Sequence, residues 1–126
     1  MANKPIDYSV AGKWANHVRA LAQIESGEDQ LVHGDAGRAF GLLQMHPARF
    51  LEEAHRGGDF VIGVGDTWAQ AQIKACAAYF DRLQLAPMPL IVQAWRLGCH
   101  AVFDEGARDA TYYARWLIHF DRLNSE

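Results

Sequence analysis

Apolar residues recur at three- and four-residue spacing along most of this sequence, and one stretch, Glu28 to Met45, abandons that rhythm. A chain patterned this way builds amphipathic helices around a shared core, interrupted by a segment that is not helical. Val10, Trp14, Val18, Leu21 and Ile24 mark the apolar face of a first helix, with Ser9 or Asp7 as its cap. Glu25 falls at or just past its last turn, and Ser26-Gly27 is a natural stop. Inside the break, glycines at 34, 37 and 41 oppose a helix, while Leu31-Val32 and Phe40 to Met45 are expected as short strands of a hairpin.

Pro47 is placed to open a short helix that runs to about His55 and ends at Gly57-Gly58. Phe60 to Val64 is a brief extended run. Asp66 or Thr67 then caps a longer helix whose apolar positions include Trp68, Ala71, Ala75, Tyr79 and Leu83. Pro87 and Pro89 punctuate the next junction, and Leu90 to Leu97 is apolar nearly all round, which predicts a central, buried helix. Tyr112, Trp116, Phe120 and Leu123 mark a last amphipathic helix and, with Trp68 and Tyr79, are expected in the core. The fold class expected is α+β, predominantly helical, with one small β-hairpin. At 126 residues, half of them hydrophobic and 11% aromatic, residues 1–126 fit a single domain with one core.

A net charge of −3 without a basic stripe argues against a nucleic-acid partner, because phosphate contacts need Lys and Arg. No run approaches the roughly 18 apolar residues of a membrane span, so stable membrane insertion is not expected. Met1 to Tyr8 has one Lys and no apolar run, so no secretory signal is expected, and a target outside the cytoplasm would need delivery by another factor. Cys76 and Cys99 are expected as free thiols, with a disulfide as the alternative. The six His lack a ligand spacing such as His-x-x-x-His, so neither a metal nor a cofactor is expected.

The stretch that carries chemistry is Ile24-Glu25-Ser26-Gly27 followed by Gly34-Asp35-Ala36-Gly37-Arg38-Ala39-Phe40-Gly41-Leu42-Leu43-Gln44-Met45. It sets a carboxylate at the end of an apolar helix against a Gly-rich hairpin. Burial raises the pKa of a carboxyl group, which suits a group that must donate a proton near neutral pH. Glycosidic bond cleavage needs such an acid on the leaving oxygen. On the residues alone, Glu25 is either that acid or a solvated carboxylate at a helix end, and Asp35 is either a base or a turn residue.

Glu25-Ser26 with Gly41-Leu42-Leu43-Gln44-Met45 and Pro47 resembles the signature of soluble lytic transglycosylases, the SLT domain. The run Gly34-Asp35-x-Gly37-x-x-Phe40-Gly41-Leu42-x-Gln44 is similar to that of goose-type and related phage lysozymes. Ala94-Trp95-Arg96-Leu97-Gly98 resembles the transglycosylase Ala-Tyr-Asn-Ala-Gly motif, and Asp109 with Tyr113 its closing Glu-Thr-x-x-Tyr motif. The resemblance implies a lysozyme-like fold with the hairpin beside the active-site cleft. It implies a muramidase that cleaves the β-1,4 bond between N-acetylmuramic acid and N-acetylglucosamine in peptidoglycan, with Glu25 as general acid and Asp35 positioning water. Ser26, Phe40, Gln44, His46, Trp95 and Tyr113 would then contact substrate. The alternatives are a lytic transglycosylase forming 1,6-anhydro products, a chitin-cleaving enzyme, and a glycan-binding or structural phage component. Three positions depart from the relatives: Trp95 replaces Tyr, Arg96 replaces Asn, and His46 falls where a second Asp is found. A monomer without cofactor, delivered as a phage endolysin, a virion enzyme or a secretion cargo, completes the expectation.

Overall fold

Gly12 decides how the chain begins. Its φ of 57° and ψ of −129° are open to glycine and strained for other residues. The expected first helix therefore divides into a 3-10 segment, Tyr8–Trp14, and an α-helix, α1, Ala15–Glu25. Asp7 is the cap, its carboxylate accepting from the Ser9 N–H at 2.9 Å. The kink also corrects the apolar face: Val18 and Leu21 are buried, whereas Val10 lies 39% exposed.

The computed structural model describes residues 6–56 and 67–126. Within them the chain is mostly helical with one small two-stranded antiparallel sheet, an α+β architecture. The strands are β1, His33–Gly34, and β2, Ala39–Phe40, with His33 opposite Phe40 and Gly34 opposite Ala39. They are shorter than expected, and Leu31-Val32 precedes β1 instead of forming it. Positive φ at Gly41 (75°) and Gln44 (49°) turns the chain after Phe40 and ends the second strand early, leaving one further bridge to Met45.

That turn is clamped from the core. Gln72 is fully buried, its Oε1 accepting from Leu43 N–H at 2.9 Å and its Nε2 donating to Phe40 C=O at 3.0 Å. A Cβ on Gly41 would stand 2.8 Å from Gln72 Nε2, at a backbone conformation that already disfavours side chains. Gly41→Ala is therefore expected to cost at least the roughly 1–2 kcal/mol of a left-handed non-glycine residue. Urea unfolding reads this directly, and an unchanged midpoint would rule the clamp out.

The remaining helices are α2, Pro47–Arg56; α3, Trp68–Arg82; α4, Met88–Leu97; and α5, Ala110–Asn124. Pro47 opens α2 as its φ dictates. Thr67 caps α3 in a reciprocal capping box with Gln70. The expected stop at Gly57-Gly58, the extended run Phe60 to Val64 and the alternative cap Asp66 lie outside the described residues. Pro87 caps α4, a short π-helical turn follows at His100–Asp104, and Asp109 caps α5.

α1 packs against α5 and α3, α2 against α3, and α4 against α5. Leu21, Tyr79, Phe80, Ile91 and Trp116 are fully buried where these helices meet. Trp68, expected in the core, is 64% exposed: it is the first residue of α3, and its ring lies edge-on to Phe40 and Phe50. Phe120 is half-buried and stacks on Trp116 with ring centroids 4.6 Å apart. Cys76 and Cys99 are free. Among the described residues no helix is long and apolar enough to cross a membrane.

Candidate active site

The end of α1, the hairpin, the start of α2 and the end of α4 enclose a cleft of about 710 Å³. Glu25, Asp35, Gln44, His46, Arg49 and Trp95 line it. Glu25 is the last residue of α1 and half-buried. Its Oε1 accepts a hydrogen bond from the Tyr112 hydroxyl at 2.7 Å. Burial raises the Glu25 pKa; the Tyr112 hydrogen bond and the charges of Arg96, Arg115 and Arg49 act against that shift without cancelling it. Near neutral pH such a carboxyl keeps its proton better than an ordinary glutamate.

Tyr112 was assigned to the core by its place on the apolar face, and it is indeed buried, but its hydroxyl serves Glu25. Tyr113, expected among the substrate contacts, stacks on Trp116 with centroids 5.8 Å apart. The signal for Tyr112 was its burial, since a buried phenol needs a hydrogen-bond partner. Because its O–H stabilises the carboxylate form, Tyr112→Phe is expected to move the Glu25 titration to higher pH. Carbon NMR of the Glu25 carboxyl would show this; a shift to lower pH would remove the bond from the account.

Asp35 opens a turn at Asp35–Gly37 with φ of 50°, followed by Ala36 at 56°. Both of its carboxylate oxygens are engaged. Oδ1 accepts from Arg38 Nη2 at 3.2 Å, and Oδ2 lies 2.9 Å from His46 Nε2. The two residues proposed by motif for water and for substrate thus form one pair. Gln44 reaches the cleft, yet its Nε2 donates to Val32 C=O (3.0 Å) and Gly41 C=O (2.8 Å). Its Oε1 occupies the space that a Cβ on Gly34 would take, which accounts for glycine there.

Two other expected substrate contacts have different surroundings. The Ser26 hydroxyl donates to Leu42 C=O at 2.6 Å and accepts from Asp29 N–H, tying the end of α1 to the hairpin turn. Phe40 faces a separate apolar groove of about 460 Å³ with Phe50 and Trp68. Trp95 is buried at the cleft wall, its ring edge-on to Tyr79 and covered by the Arg49 guanidinium 4.5 Å from its centroid. Arg49, absent from the motif reading, also donates to Trp95 C=O at 3.0 Å. Arg96 lies over the Tyr112 ring, and its Nε is 2.9 Å from Asp109 Oδ2. Among the described residues, no His, Cys, Asp or Glu group is gathered in a way that would hold a metal ion.

Fold and site together define a small, mainly helical α+β protein with a buried-side carboxyl and a carboxylate–imidazole pair in one cleft. The chain matches no protein-family model, no curated protein and no solved structure.

Proposed function

We propose that this protein is a lysozyme-like muramidase that cleaves the β-1,4 linkage of peptidoglycan, with Glu25 as the general acid. The observation that carries the reading is the state of Glu25: a half-buried carboxyl with a raised pKa, hydrogen-bonded by Tyr112, at the wall of an open cleft. A group of that kind donates its proton to a glycosidic oxygen as the bond opens toward an oxocarbenium-like state. Support for the substrate comes from the resemblance of Glu25-Ser26 and of the Gly34 to Gln44 run to goose-type lysozymes and lytic transglycosylases. The size of the cleft suits a few sugar rings.

Cell-wall suspensions treated with the purified protein test the reading. Falling turbidity and new reducing ends are expected. Product masses one water heavier than the anhydro sugar identify hydrolysis; the anhydro mass identifies the transglycosylase alternative. Walls that bind the protein but stay intact would replace the reading with a glycan-binding one, and cleavage of chitin alone would replace the substrate.

A further inference from the structure

The pairing of Asp35 with His46 bears on which group activates water. Asp35 Oδ1 accepts from Arg38 and Oδ2 lies against His46 Nε2, so its charge is already shared with two nitrogen partners and it is a weakened acceptor for a water proton. A carboxylate 2.9 Å from Nε2 draws the imidazole proton onto that nitrogen. The basic lone pair then sits on Nδ1. His46 is anchored in the backbone as well: its C=O accepts the Phe50 N–H at 3.0 Å at the start of α2. Asp35 is held in turn by two consecutive left-handed residues, Asp35 and Ala36, neither of them glycine. Backbone strain of this sort persists where the surroundings demand it.

We propose that His46 is the base that takes a proton from the attacking water, and that Asp35 is its positioning residue. This rests on the glycan-cleavage reading above and moves the water-activating role expected of Asp35 to His46. In the step, a water oxygen bonds to the anomeric carbon from the face opposite the leaving group. The water proton passes to His46 Nδ1, the glycosidic C–O bond breaks, and the Glu25 proton goes to the departing oxygen. The product has inverted configuration, as expected for an acid and a base on separate elements with a water between them. Charged groups around the pair are Asp35 and Arg38 from the hairpin, Arg49 from α2, Glu25 from α1 and Arg96 from α4.

His46→Gln separates this role from a structural clip, because the amide still donates to Asp35 but accepts no proton from water. Hydrolysis is expected to fall about 100-fold or more. Azide, which needs no base, is expected to restore bond cleavage and to appear in the product as the α-configured glycosyl azide. Nitrogen NMR of the wild-type His46 ring is expected to show the proton on Nε2, whatever the substrate turns out to be. A His46→Gln variant that hydrolyses at the wild-type rate, while Glu25→Gln is inactive, overturns the base assignment and leaves the glycan-cleavage reading standing. A ring with its proton on Nδ1 overturns it too. Wild-type protein that leaves walls and chitin uncut overturns the glycan-cleavage reading, and the base assignment with it.

Discussion

Glu25→Gln is expected to abolish wall clearing and, in the same protein, to raise the thermal midpoint. The first effect follows from the role proposed for Glu25, because a glutamine amide has no acidic proton to give a leaving oxygen. Positioned acids contribute about 10²–10⁴ in rate, so the residual activity should lie two or more orders of magnitude down. The second follows from linkage. Burial lifts the folded-state pKa of Glu25 above its unfolded value. The native state therefore holds a proton that the unfolded chain has already lost, and the stability from this group is present at low pH and disappears as pH rises through the folded pKa. Above its raised folded-state pKa the wild type carries a carboxylate that its surroundings disfavour, and the variant does not. Glutamine keeps an oxygen to accept the Tyr112 hydroxyl, so the bond at 2.7 Å survives. The gain in midpoint should grow with pH above the ordinary carboxyl range and vanish below it. A destabilised variant, or one that still clears walls at the wild-type rate, contradicts the assignment of Glu25.

Which parts of this were legible in the sequence depends on how local the cause was. The helices were legible because spacing, Pro47 and the Thr67-x-x-Gln70 box are local statements about backbone hydrogen bonds. The break at Gly12 was not, because nothing in the spacing from Val10 to Val18 announces a positive φ between them. The position of Glu25 was legible, because an apolar helix that runs into Ser26-Gly27 puts it at the helix end. The motif pointed to Tyr113, whereas the phenol that meets the Glu25 carboxyl is Tyr112, since the rotation of α5 against α1 decides which of the two faces it. The pair Asp35 and His46 sits at a left-handed turn of Asp35 and Ala36; Asp35 is a residue type that turns use, but Ala36 does not announce a positive φ. Arg49 and Glu53 at i,i+4 were available as a helix pair, but Arg82 joins them only when α2 docks on α3.

That docking supplies the second large expected effect. Glu53 is 2% exposed, and both of its oxygens accept from Arg82 Nη2, at 2.8 and 3.0 Å. Arg49 Nε stands 3.7 Å away, and the Arg49 guanidinium also covers the rings of Trp95 and Tyr79. Glu53→Gln leaves two guanidinium groups facing a neutral amide in a partly dry setting. Breaking a buried pair from one side costs about 3–5 kcal/mol, far more than the pair contributes over an apolar replacement. The double change Glu53→Met with Arg82→Met should therefore recover most of the loss, because Arg49 keeps its bond to Trp95 C=O and its two aromatic faces. Urea midpoints of the single and double variants measure both numbers; a loss below about 1 kcal/mol in the single variant would mark the cluster as no stronger than a surface pair. The same substitution reaches the cleft. Arg49 already lowers the Glu25 pKa through space, and without Glu53 its charge is no longer offset. The Glu25 titration should then move to lower pH, opposite to its movement in Tyr112→Phe, so the two variants bracket the acid from either side.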